Sequence, residues 1–536
     1  MINMTTRGSL FKAAAVLCLG MALSCKKSNV ETPEPPPVDP PASGNTKQTP
    51  TTNRVELTND SIFLYAQQIY YWNSSLPSYD TYEPRKYTTG STNLDKYENN
   101  LFNLVKTSAS PDYVAGQLAP KYSYIFDKAN ANPQASLKSE RMSVDLEGNG
   151  NDIGVRLGYY GTTSNFSIFV TAVYPGSPAE TAGIKRGDRV TKINGASYGT
   201  NFNAQIATII AAIEQNSVTF EINKSTGETV SVPLTKAIFR SNPIYKQTVI
   251  TAGTHKIGYL AYARFSSTAN SVTELTNAFN FFGQHGVTDL IVDLRYNGGG
   301  YVSTAEHLIN LIAPSTATGT MYVEHYNQTM KEGKATILKN QPLLDANDKV
   351  QFQNGKIVTY ADVNYSEAAM TANFAKKGTV TGVRNIVFIV SGSTASASEL
   401  VINSLKPHMT VQLVGQTTYG KPIGFFPVVL ENKYDVYMSL FETKNSRGDG
   451  GYYTGMVPEQ NLAEISGNSM YDFGDVRDLY LARAVSLLAP GATVTSQGKV
   501  SSSLNRTASA SSALTLQTEL GPQEFKGMIE TRHKLR

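Results

Sequence analysis

A serine-rich turn and a glycine-flanked lysine are the residues of this sequence best suited to nucleophilic chemistry. Ser396 lies within STASASE, between an apolar strand-like run and a helix-like run, and Lys421 follows 25 residues later between Gly420 and Pro422. A serine at a strand-to-helix turn exposes its hydroxyl above a sheet, and the start of the helix can stabilise a developing oxyanion. A lysine in apolar surroundings can lose its proton and act as a base. The pair therefore predicts acyl transfer at Ser396.

Histidine gives no comparable signal. The chain has six histidines, and none of them stands in a partnered motif; only His408 lies between the serine and the lysine. A Ser-His-Asp triad is recognised by such partners. The sequence therefore gives a triad little support and favours lysine as the base.

A glycine-rich stretch, DLRYNGGG, precedes the serine turn in the chain. It runs from Asp293 to Gly300 at the end of an apolar strand. Glycines let the backbone approach a ligand closely, and N–H groups at a helix start can hold a negative charge. The Lys-Ser/Thr pair of a phosphate-binding loop is absent, because Tyr301 follows the last glycine. The simplest role of Asp293 and Arg295 is a structural ion pair at this turn.

The elements around these residues alternate between strands and helices, which indicates an α/β architecture. The predicted strands are KIGYLAYARF, TDLIVDLRY, RNIVFIVSG and TVQLVGQ, and the predicted helices are SVTELTNAFNFFGQHG, STAEHLINLIA and SASELVINSLK. Upstream, SIFLYAQQIYYW and YENNLFNLVKTS carry apolar residues at helical spacing. A helical domain is therefore expected before the α/β region.

Residues 142–236 show regularly spaced turn signals between short strands and resemble a PDZ domain. Pro175-Gly176, Gly187-Asp188 and Asn194-Gly195 stand where the chain must reverse. In that fold an extended peptide adds as a strand, here beside Gly154–Leu157, with Ile153, Gly154 and Val155 as the expected peptide-binding residues. The alternative is a PDZ-like fold that serves only as a spacer.

The N-terminus predicts export and a lipid anchor. A basic start with Arg7 and Lys12 is followed by a short apolar run and then by Ser24-Cys25, as in a bacterial lipoprotein signal. Cys25 would become the acylated first residue of a protein of a Gram-negative-type cell envelope, on the periplasmic or the surface side, and the membrane would be a partner through this anchor. The alternative is an ordinary cleaved signal. The chain has only two cysteines, Cys18 and Cys25. Because Cys18 would be removed with the signal, a disulfide within the mature protein is excluded.

Charge gives no support for nucleic-acid binding. The formal net charge is +4, and removal of Arg7 and Lys12 with the signal leaves +2. A near-neutral balance of this kind lacks the basic footprint of a nucleic-acid-binding protein.

In order and spacing, DLRYNGGG, TASASE and TYGK resemble the C-terminal processing peptidases, also called tail-specific serine proteases. The resemblance implies an α/β, crotonase-like spiral ββα core with an inserted PDZ domain and a Ser-Lys dyad. Carried over by position, Ser396 is the nucleophile and Lys421 the general base. The backbone N–H groups of Gly298 or Gly299 and of Ala397 form the oxyanion hole. The resemblance further implies a polypeptide substrate and no need for a metal or an organic cofactor.

The predicted organisation has six segments. They are a lipoprotein signal peptide (1–24), a Pro-rich tether (25–54), an N-terminal helical domain (55–140), a PDZ-like domain (142–236), a peptidase core (240–490) and a Ser/Thr-rich tail (491–536).

One position departs from the family pattern. Many members carry a Gln four residues after the lysine, where it orients the amine, and this chain has Phe425. Either another group holds the Lys421 amine, or the dyad stands alone. The leading hypothesis is a serine endopeptidase of the cell envelope that selects C-terminal or unfolded segments through its PDZ domain. Two alternatives stay open: an inactive peptide- or ligand-binding lipoprotein of the same fold, and a Ser-Lys esterase or amidase acting on cell-wall material.

Overall fold

The computed structural model describes residues 46–128, 143–345, 349–467, 469–496, 499–501, 513–521, 525–531, 533 and 535. The predicted signal peptide, Cys25 and most of the tether lie outside these residues. Within them, no helix is both long and apolar enough to cross a membrane.

An eight-stranded mixed sheet forms the centre of the α/β region. Its order across the sheet is Gln460–Asn461, Thr410–Gly415, Asn385–Val390, Asp289–Asp293, His255–Tyr262, Ile244–Ala252, Val494–Ser496 and Lys499–Ser501. The first five strands run parallel to one another, and the last three join antiparallel. The four strands predicted from apolar runs are the four central parallel neighbours. Buried parallel strands read as continuous apolar runs, which is why the sequence revealed them.

Helices cover both faces of this sheet. On one face pack Thr268–Gln284, Val302–Ile312 and Ala397–Leu405, and on the other packs Leu479–Leu488. Along a strand, alternate residues serve the two faces: Val292 joins the first core and Ile291 the second, because successive side chains point to opposite sides. The first three helices match the predicted ones, and the α/β fold class is confirmed.

Two smaller sheets extend this region. One holds Thr371–Asn373, Thr320–Tyr326, Phe441–Asn445 and Ile423–Gly424. The other holds Tyr124–Asp127, Tyr434–Tyr437 and Val428–Leu430. The first sheet fixes the residues directly after Lys421. The second sheet pairs Tyr124–Asp127, at the end of the N-terminal region, with Tyr434–Tyr437, and Tyr124 lines the same cavity as Lys421.

Helices dominate the N-terminal region. They are Arg54–Ile69, Tyr79–Tyr82 and Asn93–Thr107, with Gln328–Lys331 adding a short helix from the later chain. Thr92 and Asp95 begin the third helix with a capping box, which satisfies two N–H groups that a helix start leaves open. Apolar residues of the long helices share one core with the helices of the α/β region.

A second sheet forms the PDZ-like region. Its order is Leu516–Leu520, Val155–Thr162, Asn165–Val173, Arg189–Ile193, Ser217–Asn223 and Thr229–Thr235, with Ala196–Ser197 paired to the fourth strand. Helices Pro178–Thr181 and Phe202–Ile213 complete it. Its first strand comes from the C-terminal tail, in which the sequence indicated no element. Other short pairs are Asn149–Asp152 with Ala237–Arg240, Phe352–Gln353 with Lys356–Ile357, Ile465–Ser466 with Ala513–Leu514, and Gly299–Tyr301 with Gly527–Ile529.

A buried ionic cluster joins the PDZ-like region to the central sheet. Arg186 contacts Glu464 at 3.0 Å and Asp478 at 3.3 Å, and Arg295 contacts Asp478 at 2.9 Å and Asp293 at 2.8 Å. All five side chains are at most 4 % exposed. The Asp293–Arg295 pair at the glycine-rich turn is thus part of a larger network. The crotonase-like spiral stays a prediction.

Candidate active site

Ser396 lies at a strained strand-to-helix turn. It has φ 58° and ψ −108° and directly precedes the helix Ala397–Leu405, six residues after Val390, where the preceding strand ends. A non-glycine residue in such a conformation costs on the order of 1–3 kcal/mol and persists only where the surroundings enforce it. The side chain is fully buried, and its Oγ donates a long hydrogen bond of 3.4 Å to Ile423 O. The predicted nucleophile therefore has the backbone geometry expected of one.

Asn297 of the glycine-rich turn forms hydrogen bonds with the serine turn. The backbone carbonyl oxygen of Asn297 accepts from Ala395 N at 3.1 Å and from Ser398 Oγ at 3.0 Å. Thr394 Oγ1 donates to Leu294 O at 2.7 Å. The two loops, about 100 residues apart in sequence, are consequently fixed against each other.

The predicted oxyanion-hole residues lie together, but their N–H groups differ in availability. A Cβ on Gly299 would lie 3.0 Å from Ala397 N, so the two backbones touch and only glycine fits. The Gly299 N–H itself donates to Asn297 Oδ1 at 2.9 Å. Of the predicted donors, Gly298 and Ala397 are therefore the better candidates.

Lys421 is buried in an aromatic environment. It is 2 % exposed, and its Nζ lies 4.6 Å from the centre of the Phe425 ring. The amine donates to Tyr122 O at 3.3 Å and to Lys526 O at 3.0 Å. Phe425 thus covers the amine, and two backbone carbonyls from distant segments accept its hydrogen bonds.

Glu399 connects the lysine segment to the serine turn. The carboxylate is fully buried; Oε2 accepts from Ser396 N and Lys421 N, each at 2.8 Å, and Oε1 accepts from Gly420 N at 2.8 Å and from Thr418 Oγ1. Burial raises the pKa of Glu399, and the four hydrogen bonds oppose that rise. Glu399 lies in the first turn of the helix Ala397–Leu405, where a carboxylate is favourable for the helix start. The structure adds a second role, in placing both reactive residues.

The N-terminal region supplies the carbonyl that faces Lys421. Asp112, fully buried, accepts from Tyr122 N at 2.7 Å and from Ser123 N at 3.1 Å. The Tyr122 hydroxyl donates to Gly420 O at 2.7 Å. Tyr122 therefore touches the lysine segment with both its backbone and its side chain, and Asp112 fixes its position.

A cavity of about 340 Å³ opens beside Lys421. Its walls are mostly apolar and aromatic and include Leu101, Tyr122, Tyr301, Tyr419, Phe525 and Ile529. Such a surface is suited to an apolar or aromatic side chain of a ligand.

The predicted peptide-binding residues of the PDZ-like region sit at the start of its first long strand. Ile153 O accepts from Ala179 N and Gly154 O accepts from Tyr174 N, each at 3.0 Å, and Val155 pairs with Val173. The neighbouring stretch of the strand edge, Leu157–Tyr160, is paired with Leu516–Leu520 of the chain itself.

Comparison with known proteins identifies both regions. Residues 256–458 match peptidase family S41, and residues 169–224 match the PDZ domain. The core is a peptidase family S41 domain. The PDZ domain beside it and the similarity to known carboxy-terminal processing proteases support the resemblance that the motifs had indicated.

Several known proteins are similar to this chain in sequence. It is 27 % identical over 289 residues to the carboxy-terminal processing protease CtpA of Bacillus subtilis, covering 54 % of this chain and 50 % of the relative. It is 22 % identical over 357 residues to the carboxyl-terminal-processing protease of Synechocystis sp., covering 66 % and 72 %. The match thus spans about half the length of the first relative.

A solved structure supports the fold of the S41 domain and its surroundings. The crystal structure of a Bacteroides fragilis protein, provisionally assigned as an S41 protease, superimposes with a TM-score of 0.54 at 20 % identity. The match covers 80 % of this chain and 96 % of that one.

Three groups at the site were absent from the sequence prediction: the Glu399 carboxylate as a link, the Tyr122 carbonyl and the Lys526 carbonyl. Glu399 had a partial signal, because a Glu three residues after a Ser at a helix start is a capping-box pattern. Backbone carbonyls carry no sequence signature, so the other two could not be found in this way.

Proposed function

We propose that this chain is a serine endopeptidase in which Ser396 is the nucleophile and Lys421 the general base. The observation that carries the proposal is the shared Glu399 carboxylate, which ties the strained Ser396 turn to the buried Lys421 segment. Membership of peptidase family S41 supports the same reaction class.

The reaction divides into two acyl-transfer steps. Lys421 Nζ, as the neutral amine, takes the proton of Ser396 Oγ while the oxygen attacks the peptide carbonyl. The Gly298 and Ala397 N–H groups stabilise the oxyanion, and Lys421 then protonates the leaving amine. Water attacks the resulting ester and releases Ser396. A neutral amine that donates a hydrogen bond to Tyr122 O keeps its lone pair for the Ser396 proton, so this contact is compatible with the role of Lys421 as a base.

The PDZ domain selects the polypeptide substrate in this proposal. The exposed edge of a PDZ strand binds an extended peptide through main-chain hydrogen bonds and reads one side chain in an apolar pocket. C-terminal or unfolded segments can adopt this extended form, whereas folded chains cannot.

The test is cleavage of an unfolded protein by the wild type, Ser396→Ala and Lys421→Ala. We expect cleavage by the wild type and none by the two variants. The matched controls are Ser404→Ala, whose buried Oγ has no hydrogen-bond partner within the described residues, and Lys406→Ala, which is exposed at the end of the same helix. Equal inertness of the wild type and all variants would instead indicate a peptide-binding relative of the same fold.

Attachment to the cell envelope through Cys25 is the second part of the proposal. It rests on the signal-like N-terminus alone. Growth with radiolabelled palmitate should label the full-length protein and not Cys25→Ala. Equal labelling of both proteins, or of neither, contradicts the anchor.

A further inference from the structure

The C-terminal segment of the chain lies along two strand edges that a peptide substrate would use. Leu516–Leu520 runs antiparallel to Val155–Thr162 of the PDZ domain. Gly527–Ile529 runs parallel to Gly299–Tyr301, directly after the candidate oxyanion residue Gly298. Added strands at such edges are a common mode of peptide recognition.

At the first edge, Leu520 occupies an apolar site of the PDZ domain. It is 2 % exposed, pairs with Leu157 and belongs to the PDZ core. A Cβ on the next residue, Gly521, would lie 2.9 Å from Ile213 Cδ1, so the segment passes close to the helix Phe202–Ile213. The leucine therefore sits between a strand and a helix, as the anchoring side chain of a bound peptide would.

Glu519 ties this strand to the PDZ domain and to the serine turn together. Its carboxylate contacts Arg156 at 2.6 Å and accepts from Ser393 Oγ at 2.7 Å. Glu519 and Arg156 are buried. Burial alone would raise the pKa of Glu519, but Arg156 and Lys526 hold it below its ordinary value. The carboxylate is thus a charged, specific contact rather than an accidental one.

At the second edge, the segment fills the groove between two strands. A Cβ on Gly298 would lie 2.1 Å from Phe525 O, and a Cβ on Gly299 would lie 2.2 Å from Gly527 O. On the opposite side, Phe425 N donates to Met528 O at 3.0 Å. The glycine motif therefore accommodates an extended backbone at van der Waals contact, and that backbone belongs to the chain itself.

The contact with Lys421 suggests inhibition rather than cleavage of this segment. The Lys526 carbonyl accepts from Lys421 Nζ at 3.0 Å. Acyl transfer requires the scissile carbonyl oxygen to face the oxyanion donors instead. Met528 is fully buried, so the occupant also closes the groove.

We propose that the strands Leu516–Leu520 and Gly527–Ile529 act together as a tethered pseudosubstrate, the first at the PDZ edge and the second in the catalytic groove, and that an incoming extended peptide displaces them. That this displacement controls turnover rests on the proposed peptidase function. The proposal also defines the ligand: an extended peptide with a leucine at the PDZ site and an apolar side chain in the catalytic groove.

A binding experiment tests the occupancy without catalysis. In an Ser396→Ala background, a fluorescent peptide with the sequence of residues 515–530 is titrated against the full chain and against Leu520→Asp and Met528→Asp. Each substitution places a charge in a buried apolar site of the tethered segment and leaves both edges intact. The apparent affinity of a competing ligand falls with the fraction of open sites, so each variant should bind at least about tenfold more tightly than the parent. Gln517→Asp, which changes an exposed residue of the same strand, should bind as the parent does.

The outcomes are decisive in either direction. Equal affinity for the parent and for both variants, with cooperative thermal unfolding retained, overturns the proposal. If a variant does not fold, hydrogen exchange on the unaltered, ¹⁵N-labelled chain replaces it: saturating free peptide must increase exchange at Gly527–Ile529 of the chain, and unchanged exchange overturns the proposal.

Failure of this inference can be distinguished from failure of the proposed function. With Ser396 present, Leu520→Asp and Met528→Asp should increase turnover of an unfolded substrate. If the variants bind the peptide more tightly but no protein turns over substrate, the pseudosubstrate proposal holds and the peptidase proposal is wrong. If the wild type turns over substrate and the variants gain neither affinity nor turnover, the peptidase proposal holds and the pseudosubstrate proposal is wrong.

Discussion

Ser396 and Lys421 donate their backbone N–H groups to one and the same oxygen, Glu399 Oε2, each at 2.8 Å. The carboxylate lies in the first turn of the helix that begins after Ser396. A single buried carboxylate therefore fixes the main chain of both residues.

Glu399→Gln should lower both stability and activity. Glutamine offers one acceptor oxygen and one NH₂ group where the carboxylate accepts four hydrogen bonds, so buried N–H donors lose their partner. We expect the free energy of unfolding to fall by about 2–4 kcal/mol and kcat/KM to fall at least about tenfold. Urea unfolding and peptide cleavage measure the two effects. The control is Glu332→Gln on the surface, which should unfold at the same urea concentration as the wild type; unaltered activity in Glu399→Gln would contradict the positioning role.

Tyr122→Phe should impair turnover more than substrate binding. The change removes the hydroxyl that donates to Gly420 O, one residue before Lys421, and leaves the ring in place. Loss of one buried hydrogen bond costs about 1 kcal/mol, and a displaced lysine would reduce kcat with little change in KM. Steady-state kinetics on a short peptide separate the two constants. A rise in KM at constant kcat would show that Tyr122 contacts substrate instead.

The helices and strands around the site could be predicted from sequence because their signals are local. Apolar runs of five or six residues revealed the central strands, and the small residues around Ser396 marked the turn. The sequence assigned Ser396 and Lys421 to one site only through the order and spacing of their motifs along the chain. Their actual link, Glu399, depends on a turn at Gly420 that brings three donors to one carboxylate.

Contacts between distant segments could not be predicted. Tyr122 and Lys526 approach Lys421 from 299 and 105 residues away, through backbone carbonyls that every residue carries. The tail was assigned no element because its composition is rich in Ser and Thr. Its strands exist because two open edges supply the hydrogen bonds and apolar sites that the segment lacks by itself.

Arg186→Met should destabilise the joint between the PDZ domain and the central sheet. The guanidinium faces Glu464 and Asp478 in a buried site, and its removal leaves these carboxylates short of a partner. Breaking a buried ion pair in this way costs about 3–5 kcal/mol. Lys192→Met breaks the exposed pair with Glu221 and serves as the control, because exposed ion pairs contribute little to stability. Equal unfolding midpoints for the two variants in urea would refute the assignment.

His307 should make the S41 domain sensitive to acid. Burial, followed by the charge of Lys377, lowers the pKa of His307 to about 4. The unfolded value is about 6.5, so the unfolded chain binds a proton that the folded chain does not, and stability falls as the pH drops from about 6.5 to about 4. His307→Gln should reduce the loss of unfolding free energy between pH 7 and pH 4.5 by about 1–2 kcal/mol. The same pH dependence in both proteins would contradict the prediction.

The most direct test of the central claim is detection of the acyl-enzyme. A peptidyl ester is mixed with the full chain, the reaction is quenched in acid, and the covalent adduct is located by mass spectrometry of proteolytic fragments. We expect one acyl group on Ser396, and acylation slowed by about 10²–10⁴-fold in Lys421→Ala. Acylation of another residue, or an equal rate in the lysine variant, would contradict the Ser396–Lys421 dyad.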